Sequence, residues 1–173
     1  VAAVAALLPL FLPNEYYLTV LIVAGFHTIL TLGLNLLMGY AGQISLGHAA
    51  FYGIAAYATG VLTARFHWPV PAAIVAGIVL VLAVAAGIAV PTLRLKGHYL
   101  AMGTLGFGII VYIVLNEATD LTGGPSGLTG IPKLTLGGIS LASDLSFYYV
   151  VWGVVLVLFL LAQNLVRSRL GRA

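Results

Sequence analysis

Few side chains in this sequence have types and spacing that suit chemistry, and most lie in one region. His27, Thr28, Thr31 and Asn35 recur at helical spacing, and at about 100° per residue they fall within an arc of roughly 100°. A polar, glycine-rich stretch follows: Gly39-Tyr40-Ala41-Gly42-Gln43-Ile44-Ser45-Leu46-Gly47-His48, set between two apolar runs. Neither group resembles a catalytic device, since no carboxylate pair, activated Ser or Cys, or metal cluster stands near it. Their chemistry is hydrogen bonding at membrane depth. Backbone that leaves helical geometry there is tolerated only where protein or a water-filled cavity satisfies its N–H and C=O groups, so such a break marks a pathway or a binding site. A turn at the membrane surface is the competing reading. The stripe of four has two readings as well: the groups line a path, or Thr28 and Thr31 bond back to their own helix while Asn35 clamps a neighbour.

The elements that hold these residues follow from composition. Hydrophobic residues make up 62% of the chain and charged residues 6%, with a mean hydropathy of +1.15, which marks an integral membrane protein. Spanning a bilayer takes roughly 20 apolar residues per helix, and five runs approach that length: Leu18 to Met38, Ala49 to Ala64, Val70 to Leu93, Tyr99 to Ala118 and Leu145 to Val166. The expectation is an all-α, polytopic transmembrane helix bundle of five full spans, in one membrane domain over 1–173. The short alternating segments of a transmembrane barrel are absent. Val1 to Leu12 read as the end of a truncated first span, and the basic stretch from Arg167 to Ala173 as the opening of a segment that continues elsewhere. Arg94 and Lys96 share one loop, and Arg167, Arg169 and Arg172 follow the last span, whereas Glu15, Asp120 and Asp144 fall in alternate loops. By the positive-inside rule the basic set faces the cytoplasm, with Arg65 and Lys133 as exceptions on the outer side.

Several other features carry less. The segment from Thr119 to Asp144 is a connection of roughly 25 residues, longer than two spans need, and its Gly and Pro forbid a long helix; an ordered, functional loop is expected. Phe147, Tyr148, Tyr149 and Trp152 read as an aromatic belt entering the last span. Ala73 with Gly77, Ala83 with Gly87, and Gly103 with Gly106 read as places where helices approach closely. No P-loop is present, and the glycines from Gly103 to Gly108 have the wrong spacing for a dinucleotide site. His27, His48, His67 and His98 lack partners at metal-ligand spacing. Seven basic residues without clustering make no nucleic-acid surface, and the absence of cysteine leaves the redox compartment open.

Three blocks together resemble one family, the permease subunits of high-affinity branched-chain amino acid ABC importers. They are Gly33 to Gly53 around the polar stretch, Arg94 to Gly108, and Leu121 to Pro132. The resemblance implies a permease of the bacterial inner membrane that pairs with a second, related permease. It further implies two cytoplasmic ATP-binding subunits, which hold ATP and Mg so that this chain needs no cofactor, and an extracytoplasmic substrate-binding protein. The family continues into a coupling region and further spans after the point where this sequence stops. A zwitterion with an aliphatic side chain needs polar groups for its ends and an apolar wall, so Asn35, Gly42, Gln43, Ser45, Gly47 and His48 are the substrate-path candidates. Gly123, Gly124, Pro125, Ser126 and Gly127 are candidates for docking or gating against the binding protein, with a structured cap as the alternative. Urea or a short amide is a second substrate class within the same family, and a secondary transporter or channel is the rival from another class.

Overall fold

The structure, a computed structural model, describes residues 15–92, 94–132, 135–136, 139–140 and 143–168. Val1 to Leu12, Lys133, Arg169 and Arg172, named above for topology, lie outside the described residues. The long helices are α1 (Glu15–Asn35), α2 (His48–Ala64), α3 (Val70–Thr92), α4 (His98–Glu117) and, after one short turn α5 (Thr119–Thr122), α6 (Asp144–Arg167). Two-residue strands, β1 (Thr135–Leu136) and β2 (Ile139–Ser140), precede α6. The architecture is all-helical, and each long helix ends within three residues of its hydrophobic run, because burial in lipid requires the apolar segment to close its own backbone hydrogen bonds.

Two compact units divide the chain, one from 1–42 with 139–173 and the other from 43–138. In the first, α1 packs on α6. Leu18 and Ile22 meet Tyr148 and Val151, with Leu21, Phe26, Phe147 and Trp152 against them. These positions repeat every three or four residues on both helices, which places them on one stripe of each. Gly25 lets the helices close: a Cβ there would lie 2.6 Å from Val151 Cγ1. Most of the aromatic residues expected to form a belt turn toward α1. Tyr148 is fully buried, Phe147 stacks near Phe26 with centroids 6.3 Å apart, and only Tyr149 of the four is exposed.

Early residues of α1 meet early residues of α6, so the two helices run parallel. A parallel pair requires an odd number of membrane crossings between them. Four helices are long and apolar enough to cross, α1 (with its extension to Tyr40), α3, α4 and α6, and α2 has 17 residues, at the short end of what spans a bilayer. The expectation from hydropathy is five spans; four helices qualify by length and composition among the described residues, and if all four cross, the parallel pair calls for α2 to cross as well.

In the second unit α2 is central. Ala73 on α3 is fully buried, and a Cβ on Gly77 would lie 2.7 Å from Thr59 Oγ1 and 3.4 Å from the Ala55 carbonyl oxygen. Small residues on α3 thus admit α2 at close range, the arrangement that membrane helices use where no hydrophobic force drives them together. Gly87 meets nothing within 4 Å, so Ala83 with Gly87 makes no such contact here. Toward α4, Phe51 and Phe107 lie 5.2 Å apart.

Candidate functional site

The polar stretch begins inside the first helix. After α1 ends at Asn35 the helix continues as a π turn over Leu36–Tyr40, closed by the Ala41 N–H donating to the Leu36 carbonyl at 3.0 Å. Such turns carry one extra residue and occur often at functional sites. A Cβ at Gly39 would stand 2.6 Å from Asn35 Oδ1, the movable end of a side chain that reaches forward over the π turn. Asn35 and Tyr40 then line a cleft of about 220 Å³, shared with Gln163 and Arg167 of α6 and walled by Leu32, Leu36 and Phe159. No carboxylate lines it.

The rest of the polar stripe on α1 has a different fate. The Thr28 hydroxyl donates to the Ala24 carbonyl at 2.8 Å and the Thr31 hydroxyl to the His27 carbonyl at 2.7 Å, while His27 Nδ1 lies 2.9 Å from the Val23 carbonyl oxygen. These groups are satisfied by their own helix, the second of the two readings open from sequence. Asn35 alone of the four lines the cleft.

From Ala41 to Gly47 the chain is an irregular connection between α1 and α2, and the surface-turn reading therefore describes its backbone better than a break within one helix. Gly42 closes the first unit with φ +62° and open space where a Cβ would be; Gln43, Ser45, Gly47 and His48 belong to the second. Gln43 is exposed, Ser45 and His48 are half-buried, and Gly47 is buried. A residue missed from sequence fixes this connection. Thr104 Oγ1 accepts the Leu46 N–H at 3.0 Å, and its hydroxyl donates to the Ala101 carbonyl at 3.1 Å. A Cβ on Gly47 would collide with the Thr104 carbonyl oxygen and approach Phe107 Cδ1 at 3.3 Å. Leu46 and Thr104 are 58 residues apart, so no local signal in one sequence joins them. Tyr40, Gln163 and Arg167 were equally hidden as partners of Asn35.

At the other end of α4, Gly123 to Gly127 form an ordered cap. Gly123, Gly124, Gly127 and Gly130 all hold positive φ, from +57° to +79°, where a side chain is strained. Thr122 is the clasp: its Oγ1 lies 2.6 Å from the Leu115 carbonyl oxygen and 2.9 Å from that of Ala118, and accepts the Gly124 N–H at 3.1 Å. Pro125 starts a turn of 3-10 helix over Gly124–Ser126 and, with Ser126, is exposed. The segment then leans on α2, for a Cβ at Gly60 would meet Leu128 at 2.9 Å and Ile131 at 3.4 Å.

Arg94, Lys96 and Arg167 are exposed. Among the described residues no three His, Cys, Asp or Glu side chains gather as a metal would need.

Residues 16–173 match the family described as branched-chain amino acid transport system / permease component. The chain is 44% identical over 119 residues to the high-affinity branched-chain amino acid transport system permease protein LivM of Escherichia coli K12, an alignment covering 65% of this chain and 27% of that protein. The LivM protein of Salmonella typhimurium LT2 matches at the same identity and coverage. This chain thus spans about a quarter of the length of these relatives. No solved structure matches.

Proposed function

Because the chain belongs to the family of branched-chain amino acid transport permease components, we propose that it forms part of the membrane path of an ATP-driven importer of leucine, isoleucine or valine. The observation that carries this reading is the family match across 16–173, which takes in every described span and the polar connection. The relatives are named as permease proteins of a high-affinity branched-chain amino acid transport system, and the same substrate class is assigned here. The chain itself performs no bond chemistry. ATP and Mg belong to two cytoplasmic ATP-binding subunits, a second permease completes the path, and an extracytoplasmic binding protein delivers substrate to the Gly123–Gly127 side. Arg94, Lys96 and Arg167 face the cytoplasm of a bacterial inner membrane.

A path must offer polar groups in turn without holding the solute too tightly. Asn35 at the cleft and Gln43 and Ser45 on the connection have side chains suited to a carboxylate and an ammonium group, and Gly42 and Gly47 bring backbone to the same stretch. His48 stands at the first position of α2. Uptake of labelled leucine by the complete transporter in proteoliposomes tests the reading. Transport should need ATP inside and the binding protein outside, and uptake driven by an ion gradient alone would replace it with a secondary transporter. Urea uptake without leucine uptake would move the substrate class while leaving the machine intact. Gln43→Ala is expected to lower leucine uptake at normal expression; wild-type uptake would remove Gln43 from the path.

A further inference from the structure

Of the polar residues that line the cleft of about 220 Å³ at the ends of α1 and α6, the transport reading places only Asn35 on the path and gives the cleft itself no ligand. We propose that it seats the headgroup of an anionic phospholipid. The inference rests on α1 and α6 being membrane spans, not on the identity of the transported solute.

Four observations lead there. The buried core between the two parallel helices lies around Leu18, Ile22, Tyr148 and Val151, in their first halves, and the cleft opens where both end. That end lies at the depth of the headgroups, since α6 is an apolar span that closes on Arg167. The polar residues that line it are Arg167, Asn35, Gln163 and Tyr40, with no acidic residue among them. A guanidinium presents paired N–H donors that match two phosphate oxygens, and the carboxamides add donors beside it. Finally, Leu32, Leu36 and Phe159 continue the wall in apolar form, which suits an acyl chain and leaves a small hydrated anion with nothing to bury. The volume admits a headgroup but no whole lipid, so the chains would lie in the bilayer along that wall. In the sequence Arg169 and Arg172 follow closely, and basic residues beside a span draw anionic lipid.

The test uses the full-length permease purified in mild detergent, titrated with phosphatidylglycerol or phosphatidylcholine and read by native mass spectrometry. Phosphatidylglycerol should be retained about fivefold better than phosphatidylcholine, the preference that one basic residue at the membrane surface provides. Arg167→Gln should abolish that preference, whereas Arg94→Gln, a basic residue outside the cleft, should leave it in place. Ala162→Phe keeps the charge but fills the cleft, and should abolish it as well; its thermal melting reports whether the fold survives. Equal preference in Arg167→Gln and wild type overturns the proposal, as does a preference that survives Ala162→Phe in a folded protein. Competition by millimolar inorganic phosphate would make the site one for a free anion, and competition by leucine would make it a substrate site; either result also overturns the lipid assignment.

Discussion

At Gly47 a single hydrogen atom in place of a side chain decides whether the connection after α1 can lie against α4. A methyl group there would collide with a backbone carbonyl, that of Thr104, which cannot rotate aside as a side chain can. Gly47→Ala should therefore cost about 1–3 kcal/mol, as overpacking does, read as a lower melting temperature of the purified permease. Gly42→Ala is the informative comparison, because its positive φ meets open space, so strain acts without collision and the cost should be about 1 kcal/mol. Thr104→Val keeps the shape but leaves the Leu46 N–H without its acceptor, an expected loss of about 1–3 kcal/mol if that group stays dry. The clasp at Thr122 offers a separate test. Thr122→Val removes the acceptor for Gly124 N–H and the donor toward Leu115 and Ala118. The loop should then be cut faster by protease, and stimulation of ATPase by the binding protein should fall if the cap is a docking surface; unchanged stimulation with faster cleavage would make it purely structural.

Helices were the most legible part of the sequence, for a physical reason: in lipid the apolar run and the hydrogen-bonded run must coincide. Ala73 and Gly77 could likewise be read as a close-packing pair, because small residues four apart share one face. What one sequence could not yield is which faces meet. Phe147, Tyr148 and Trp152 have the composition of an interfacial belt, yet they pack toward α1, where Gly25 makes room. The cleft was half legible, since Asn35 stood out as a polar group in an apolar run, while nothing in one sequence brings Gln163 and Arg167 to it. Packing between α1 and α6 has its own prediction. Gly25→Ala should destabilise by about 1–2 kcal/mol, Val151→Ala by about 1–3 kcal/mol through the lost contact, and the pair by at least about 0.5 kcal/mol less than the sum, because the smaller residue removes the collision. Thermal melting of the four proteins checks this, and strict additivity would mean that Gly25 and Val151 do not touch.

For the whole molecule, the topology is open to direct measurement because the chain has no cysteine. Single cysteines at Arg94 and Arg167 should react with an impermeant thiol reagent only from inside, and cysteines at Phe66 and Ser126 only from outside. Labelling of Phe66→Cys from the inside would show that α2 does not cross, against the parity set by the parallel helices α1 and α6. That parallel pair also bears on how the protein is made. Roughly a hundred residues separate the end of α1 from the start of α6, and at about 5–20 residues per second of synthesis the first helix waits on the order of 5–20 s before its partner emerges. During that interval α1 stands in lipid without the surface that will cover Leu18 and Ile22. The hydroxyls of Thr28 and Thr31 bond to its own carbonyls, so these two polar residues ask nothing of a neighbour that has not yet been synthesised.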